Sequence, residues 1–125
     1  MKLVAYNNFC QSLPHSTHVV QWGGAHVWKI GGKVYAVGGW NKGDDISEDN
    51  IAVSFKCSEI AFETMQDAGG VRPAPYLASR GMKWLQRTHE DAISDKELKD
   101  YIEDSYKIVG AGLTKKLQRE LGLLV

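Results

Sequence analysis

Apolar residues at the amino end recur every three or four positions. Leu3, Tyr6, Phe9, Cys10 and Leu13 share one helical face, and Pro14 ends the run. The period then changes. Residues 17–22, 25–30 and 33–39 are short runs rich in Val, Tyr and Trp, separated by Gly23-Gly24 and Gly31-Gly32. Paired glycines supply the positive φ of tight hairpin turns, so the three runs predict an antiparallel meander. Residues 41–50 carry Asp44, Asp45, Glu48 and Asp49 and predict an exposed loop, after which 51–55 alternate as a fourth strand.

Ser58 is placed to cap a helix over 58–68, with Glu59 in its first turn, Gly69-Gly70 as its stop and Ile60, Phe62 and Met65 as its buried stripe. Two prolines argue against helix early in 71–88, and 81–85 predict a short last strand. Ser94 with Glu97 forms a capping-box pattern. Leu98, Tyr101, Ile102, Ser105 and Val109 follow on one face until Gly110 and Gly112 interrupt them. Leu113, Leu117 and Leu121 mark a short closing helix. The sum is one α+β domain over 1–125, an antiparallel sheet packed against helices.

Composition narrows the classes. With 125 residues, 43% of them apolar, the chain suffices for one core and falls outside the disordered class. Nothing resembles a signal-peptide core or a membrane span, so the expectation is a cytoplasmic protein without membrane contact. A monomer is expected at this size. Cys10 and Cys57 lie far apart outside any CxxC and read as buried thiols. Fifteen basic residues balance fifteen acidic ones, so any site for a polyanion must be local.

Motif chemistry is sparse. A phosphate loop fails because Val27 stands five before Gly32 and Val34 follows Lys33. Glycines here separate strands, which is not the strand-glycine-helix order of a dinucleotide site. His15, His18 and His26 lack an HExxH or a Cys/His pairing and read as surface imidazoles, and no serine sits in a GxSxG elbow. The reading is therefore of a binding module first, with an enzyme built on Cys57 as nucleophile or on His26 as a further possibility that no motif supports, and with no catalytic residue, cofactor or metal assigned.

One asymmetry carries chemistry. Between Ala68 and His89 the charged residues are Arg72, Arg80, Lys83 and Arg87 with no acid, whereas residues 90–104 hold seven acids against Lys96 and Lys99. Guanidinium groups beside Tyr76 and Trp84, with Lys56 nearby in the preceding strand region, are suited to phosphates and flat rings.

These residues resemble the MmcQ/YjbR family. The likeness runs through Leu13-Pro14, Trp22-Gly23, Gly31-Gly32-Lys33, Ser54-Phe55-Lys56-Cys57, the Gly70 to Trp84 segment with its Val71-Arg72-Pro73-Ala74-Pro75-Tyr76-Leu77 run, Ser105-Tyr106, and Leu113, Lys115 and Lys116. The resemblance implies a CyaY-like, double-wing α+β fold and the DNA-binding label attached to that family. The leading expectation is a DNA-binding module whose patch comprises Lys56, Arg72, Tyr76, Arg80, Lys83, Trp84 and Arg87. Four phosphate contacts would give a log-affinity against log-salt slope of about 3 to 4 in magnitude. The alternative is that the same group binds a small anionic or aromatic metabolite, or the acidic segment of a protein partner.

Overall fold

The structure, a computed structural model, describes residues 1–39, 48–75, 77–78 and 81–123. In chain order the elements are α1 (Leu3–Ser12), β1 (Ser16–Gln21), β2 (Ala25–Ile30), β3 (Lys33–Gly38), β4 (Val53–Lys56), α2 (Glu59–Met65), β5 (Val71–Pro73), β6 (Trp84–Arg87), α3 (Asp95–Ala111) and α4 (Lys115–Glu120). The six strands form one open antiparallel sheet in the order β1-β2-β3-β4-β6-β5. This is the α+β architecture that the sequence predicts. The meander and the helix boundaries at Pro14 and at the Ser94 capping box stand as expected.

Two expectations need correction, and one strand is added. The strand over 71–73, which the sequence reading did not assign, accommodates Pro73 because β5 lies at the sheet edge, where a missing N–H leaves no ladder bond unmade. The last strand is Trp84–Arg87, displaced toward the carboxyl end from 81–85. In α2 the stripe includes Phe62 and Met65, but Ile60 is 78% exposed; the helix has under two turns and meets the core through Ala61, Phe62 and Met65. Most of the acidic loop predicted over 41–50, namely residues 41–47, lies outside the described residues.

Strand alternation sorts side chains to two faces. On one face Trp28, Ile30, Ala36, Val53, Phe55 and Leu85 join Tyr6 and Cys10 of α1 and Leu98, Ile102 and Val109 of α3 in the main core. On the other, Ala25, Val27 and Val37 form a small second cluster against which Val34 packs. Val34 and Val37 share that face, although they are three residues apart, because the β2–β3 register slips. Trp28 faces Ala36 and Lys29 faces Val34, so Tyr35 is the extra residue of a β-bulge and turns into the main core.

The β3–β4 ladder ends at the pair Ala36 and Phe55. Beyond it the strands part around one side chain. The Lys56 N–H donates to Ser105 Oγ at 2.9 Å, and the Ser105 hydroxyl donates to the Tyr35 carbonyl at 2.6 Å. Ser105 is fully buried on α3, so the helix supplies the hydrogen bonds that the next ladder rung would have made. The result is a fork in the sheet, open toward Lys33 and Val34 on one prong and Lys56 on the other.

Candidate functional site

A cavity of about 400 Å³ lies at this fork. Its walls are Lys33, Val34 and Val37 from β3, Lys56 from β4, Trp84 from β6, and Ile108, Val109 and Gly112 at the end of α3, with Trp22, Leu77 and Met82 from the connecting segments. The volume falls within the range of small-ligand sites, which are mainly apolar with a few placed polar groups. Lys33 and Lys56 are the two cationic groups in this lining, one from each prong.

Trp84 is the group most directly fitted for recognition. It is 3% exposed, and among the described residues its indole N–H is buried without a hydrogen-bond partner. Buried indole N–H groups usually find an acceptor, so this wall residue carries an unspent donor beside the cavity. Lys56 stands directly opposite Trp84 in the β4–β6 register. Trp22 is held differently. Its φ is 53°, a left-handed conformation costly for a bulky side chain, and it is 49% exposed at the turn between β1 and β2.

A polar row adjoins the cavity on the same sheet face. Arg72 Nε donates to Gln86 Oε1 at 2.8 Å, and Gln86 Nε2 donates to Ser54 Oγ at 3.2 Å. Ser54 and Gln86 are fully buried. The register sets Arg72 beside Gln86 and Gln86 beside Ser54, which faces Val37. Three strands thus hand a guanidinium group from the sheet edge toward the second apolar cluster.

The sequence-derived patch therefore divides. Lys56, Arg72 and Trp84 share one face. Lys83 turns to the other side, its Nζ 4.9 Å from the centroid of the Phe62 ring of α2. Arg87 corrects the expectation of a phosphate contact. It is wholly buried, donating from Nη1 to Asp95 Oδ1 at 2.9 Å and to the Ile93 carbonyl at 3.1 Å. The reason is strand parity: with Trp84 and Gln86 on the cavity face, Arg87 must enter the helix-covered one. Tyr76 and Arg80 lie outside the described residues.

Sequence reasoning missed Ser54 and Gln86 as a buried polar pair, and it missed Trp22, Lys33, Leu77 and Met82 as cavity walls. The available signal was Ser54 and Lys56 alternating with Val53 and Phe55, and Gln86 two positions from Trp84, which align once the two strands are known to be neighbours.

Neither cysteine is set up as a nucleophile. Burial pushes the Cys57 thiol up to about 11, with only partial relief from Lys83, so the thiol stays protonated at neutral pH. Cys10 is pushed up to about 12 by burial. Among the described residues no group of three or more His, Cys, Asp and Glu side chains could hold a metal ion. None of the described helices is long and apolar enough to cross a membrane.

Comparison with known proteins places this geometry in a family. The YjbR family model matches residues 11–108, so the chain belongs to the YjbR family. Among solved structures it is similar to Deinococcus radiodurans protein DR2400, a DUF419 domain, with a TM-score of 0.79 and 24% identity over 97% of this chain and 88% of that one. A protein from Pseudomonas syringae is similar with a TM-score of 0.66 and 18% identity, over 87% of this chain and 99% of the other. At these identities the likeness is one of fold. No curated protein sequence matches the chain.

Proposed function

We propose that this domain binds a small molecule with an apolar, flat body and an anionic end in the cavity at the β3–β4 fork. The observation that carries the reading is the combination around one 400 Å³ cavity of two tryptophans and two lysines, one of the tryptophans with a buried indole N–H that has no partner among the described residues. The ring faces of Trp22 and Trp84 with Met82 and Leu77 favour the flat body. The Trp84 N–H and the Lys33 and Lys56 ammonium groups favour a carboxylate or phosphate.

This reading is preferred to DNA binding on one ground. A phosphate-tracking surface needs its cations together and exposed, yet Arg87 is in the core and Lys83 sits over Phe62. The neutral net charge adds no long-range attraction. An acidic peptide segment remains a ligand of related chemistry and would compete for the same lysines.

The test is a titration of intrinsic tryptophan fluorescence with aryl carboxylates, medium-chain carboxylates and aryl phosphates, repeated with a mixed-sequence DNA duplex at low and physiological salt. Saturable binding of a small anion, retained at physiological salt and weakened about tenfold or more by Lys56→Ala, is the expected result. Binding of the duplex alone, with a slope on log salt of about 3 or more, would replace this reading with the DNA one.

A further inference from the structure

Away from the cavity, the first hairpin brings together two histidines that sequence spacing leaves apart. His18 of β1 is opposite Trp28, and His26 of β2 is opposite Val20, so the two imidazoles form a diagonal cross-strand pair on one face. His18 Nε2 lies 3.0 Å from His26 Nδ1. The rings are nearly parallel at 16°, and His18 also stacks on Trp28 with centroids 4.7 Å apart. Both rings stand on paired strands and not on a loop, which fixes their separation.

The surroundings settle which nitrogen carries the proton. Trp28 Nε1 donates to Asn7 Oδ1 at 3.0 Å, so the Asn7 amide must turn its NH₂ toward His26 Nδ1, 3.4 Å away. His26 Nδ1 is then a lone pair, and the proton between the rings belongs to His18 Nε2. A shift of that proton to His18 Nδ1, with no change in charge, leaves a lone pair on each of the two neighbouring nitrogens.

We infer that His18 Nε2 and His26 Nδ1 form a two-imidazole site for a divalent ion of the Ni²⁺, Cu²⁺ or Zn²⁺ group. Metal–imidazole bonds of about 2.0–2.1 Å at angles between 90° and tetrahedral separate two ligand nitrogens by about 2.9–3.4 Å; the 3.0 Å spacing lies in that range, and an ion is seated there once each ring turns so that its lone pair leaves the N···N line. Neutral imidazole suits these ions better than it suits Mg²⁺ or Ca²⁺. Water fills the remaining positions, since the protein offers two nitrogens and the Asn7 carbonyl is engaged by Trp28. The pair is partly open to solvent on a strand at the sheet edge, which gives the ion a path in.

The experiment is a titration of ¹⁵N-labelled protein with Zn²⁺ alone, following the imidazole nitrogens. His18 Nε2 and His26 Nδ1 should move together to metal-bound shifts with one equivalent per chain, while His15 and His89 stay in place. His18→Ala should weaken Zn²⁺ binding at least tenfold. Asn7→Asp, which sets a carboxylate where the amide now faces His26, should tighten it by a similar factor; a pair serving only to hold the hairpin would not respond in that way. No shift in tenfold excess of Zn²⁺, equal shifts at His15 or His89, or an affinity indifferent to both substitutions would overturn the site.

Discussion

Trp22 and Trp84 illustrate two ways of holding an aromatic ring at a cavity. Trp84 is fixed by strand pairing and burial, whereas Trp22 is held in a left-handed backbone conformation that asparagine adopts more readily. Trp22→Asn should therefore leave the thermal unfolding midpoint unchanged or slightly raised while weakening ligand binding at the fork. Calorimetric melting beside a fluorescence titration checks both halves. A fall in stability with unaltered binding would make Trp22 a structural residue only.

Arg87 makes the opposite case, a charge committed to the fold. Asp95, 45% exposed on its side chain, accepts from Arg87 and lies 3.2 Å from the amino-terminal ammonium group. Removing the acid strands a wholly buried guanidinium group, which among the described residues already has Nε and Nη2 without partners. Asp95→Ala should cost about 2 kcal/mol, toward the low side for a broken buried pair because one partner is half exposed. Arg87→Met should cost less, since it fills the space and leaves Asp95 to water. Urea unfolding of the two variants tests the asymmetry.

Burial pushes the Asp95 carboxyl up, but hydrogen bonds from Arg87 and the amino terminus outweigh it and hold the group below its ordinary 3.8. A carboxyl depressed by folding contributes stability above its unfolded pKa and loses it as pH falls through the folded one. The acid limb of the stability curve, below about pH 4, should accordingly flatten in Asp95→Asn.

Between elements, the fork depends on α3 more than on the strands that form it. Ser105→Ala would leave the Lys56 N–H and the Tyr35 carbonyl unpaired in the interior, at a cost of about 2 kcal/mol. Faster hydrogen exchange at the Lys56 amide, measured by NMR, would report the same opening locally. An unchanged exchange rate would mean that the strands can close the gap themselves.

Legibility follows local information. The meander is written in Gly23-Gly24 and Gly31-Gly32, and α3 in its capping box, which the structure forms through Ser94 and Glu97 in both directions. Three-residue β5 has too few positions to show a period and contains Pro73. Ile60 fits a helical stripe but is exposed, because α2 is too short to bury a full face. The site was legible only in part for a related reason. Alternation marks which residues of one strand share a face, but not which strands are neighbours. Lys56, Arg72 and Trp84 therefore share a face, while Arg87, one position out of phase, lies on the other.

For the whole molecule, equal numbers of acids and bases leave recognition to local geometry, and the geometry gathers at the fork. The proposed site centres on the Trp84 indole N–H, a buried donor without a partner among the described residues. The most direct measurement is the ¹H–¹⁵N resonance of that indole during titration with aryl and alkyl carboxylates and phosphates, in the native protein and in Lys56→Ala. The account predicts a saturable downfield shift with at least one compound class, accompanied by the Lys56 amide and weakened in the variant. An indole resonance that stays fixed across the panel, or shifts equally in both proteins, would contradict it.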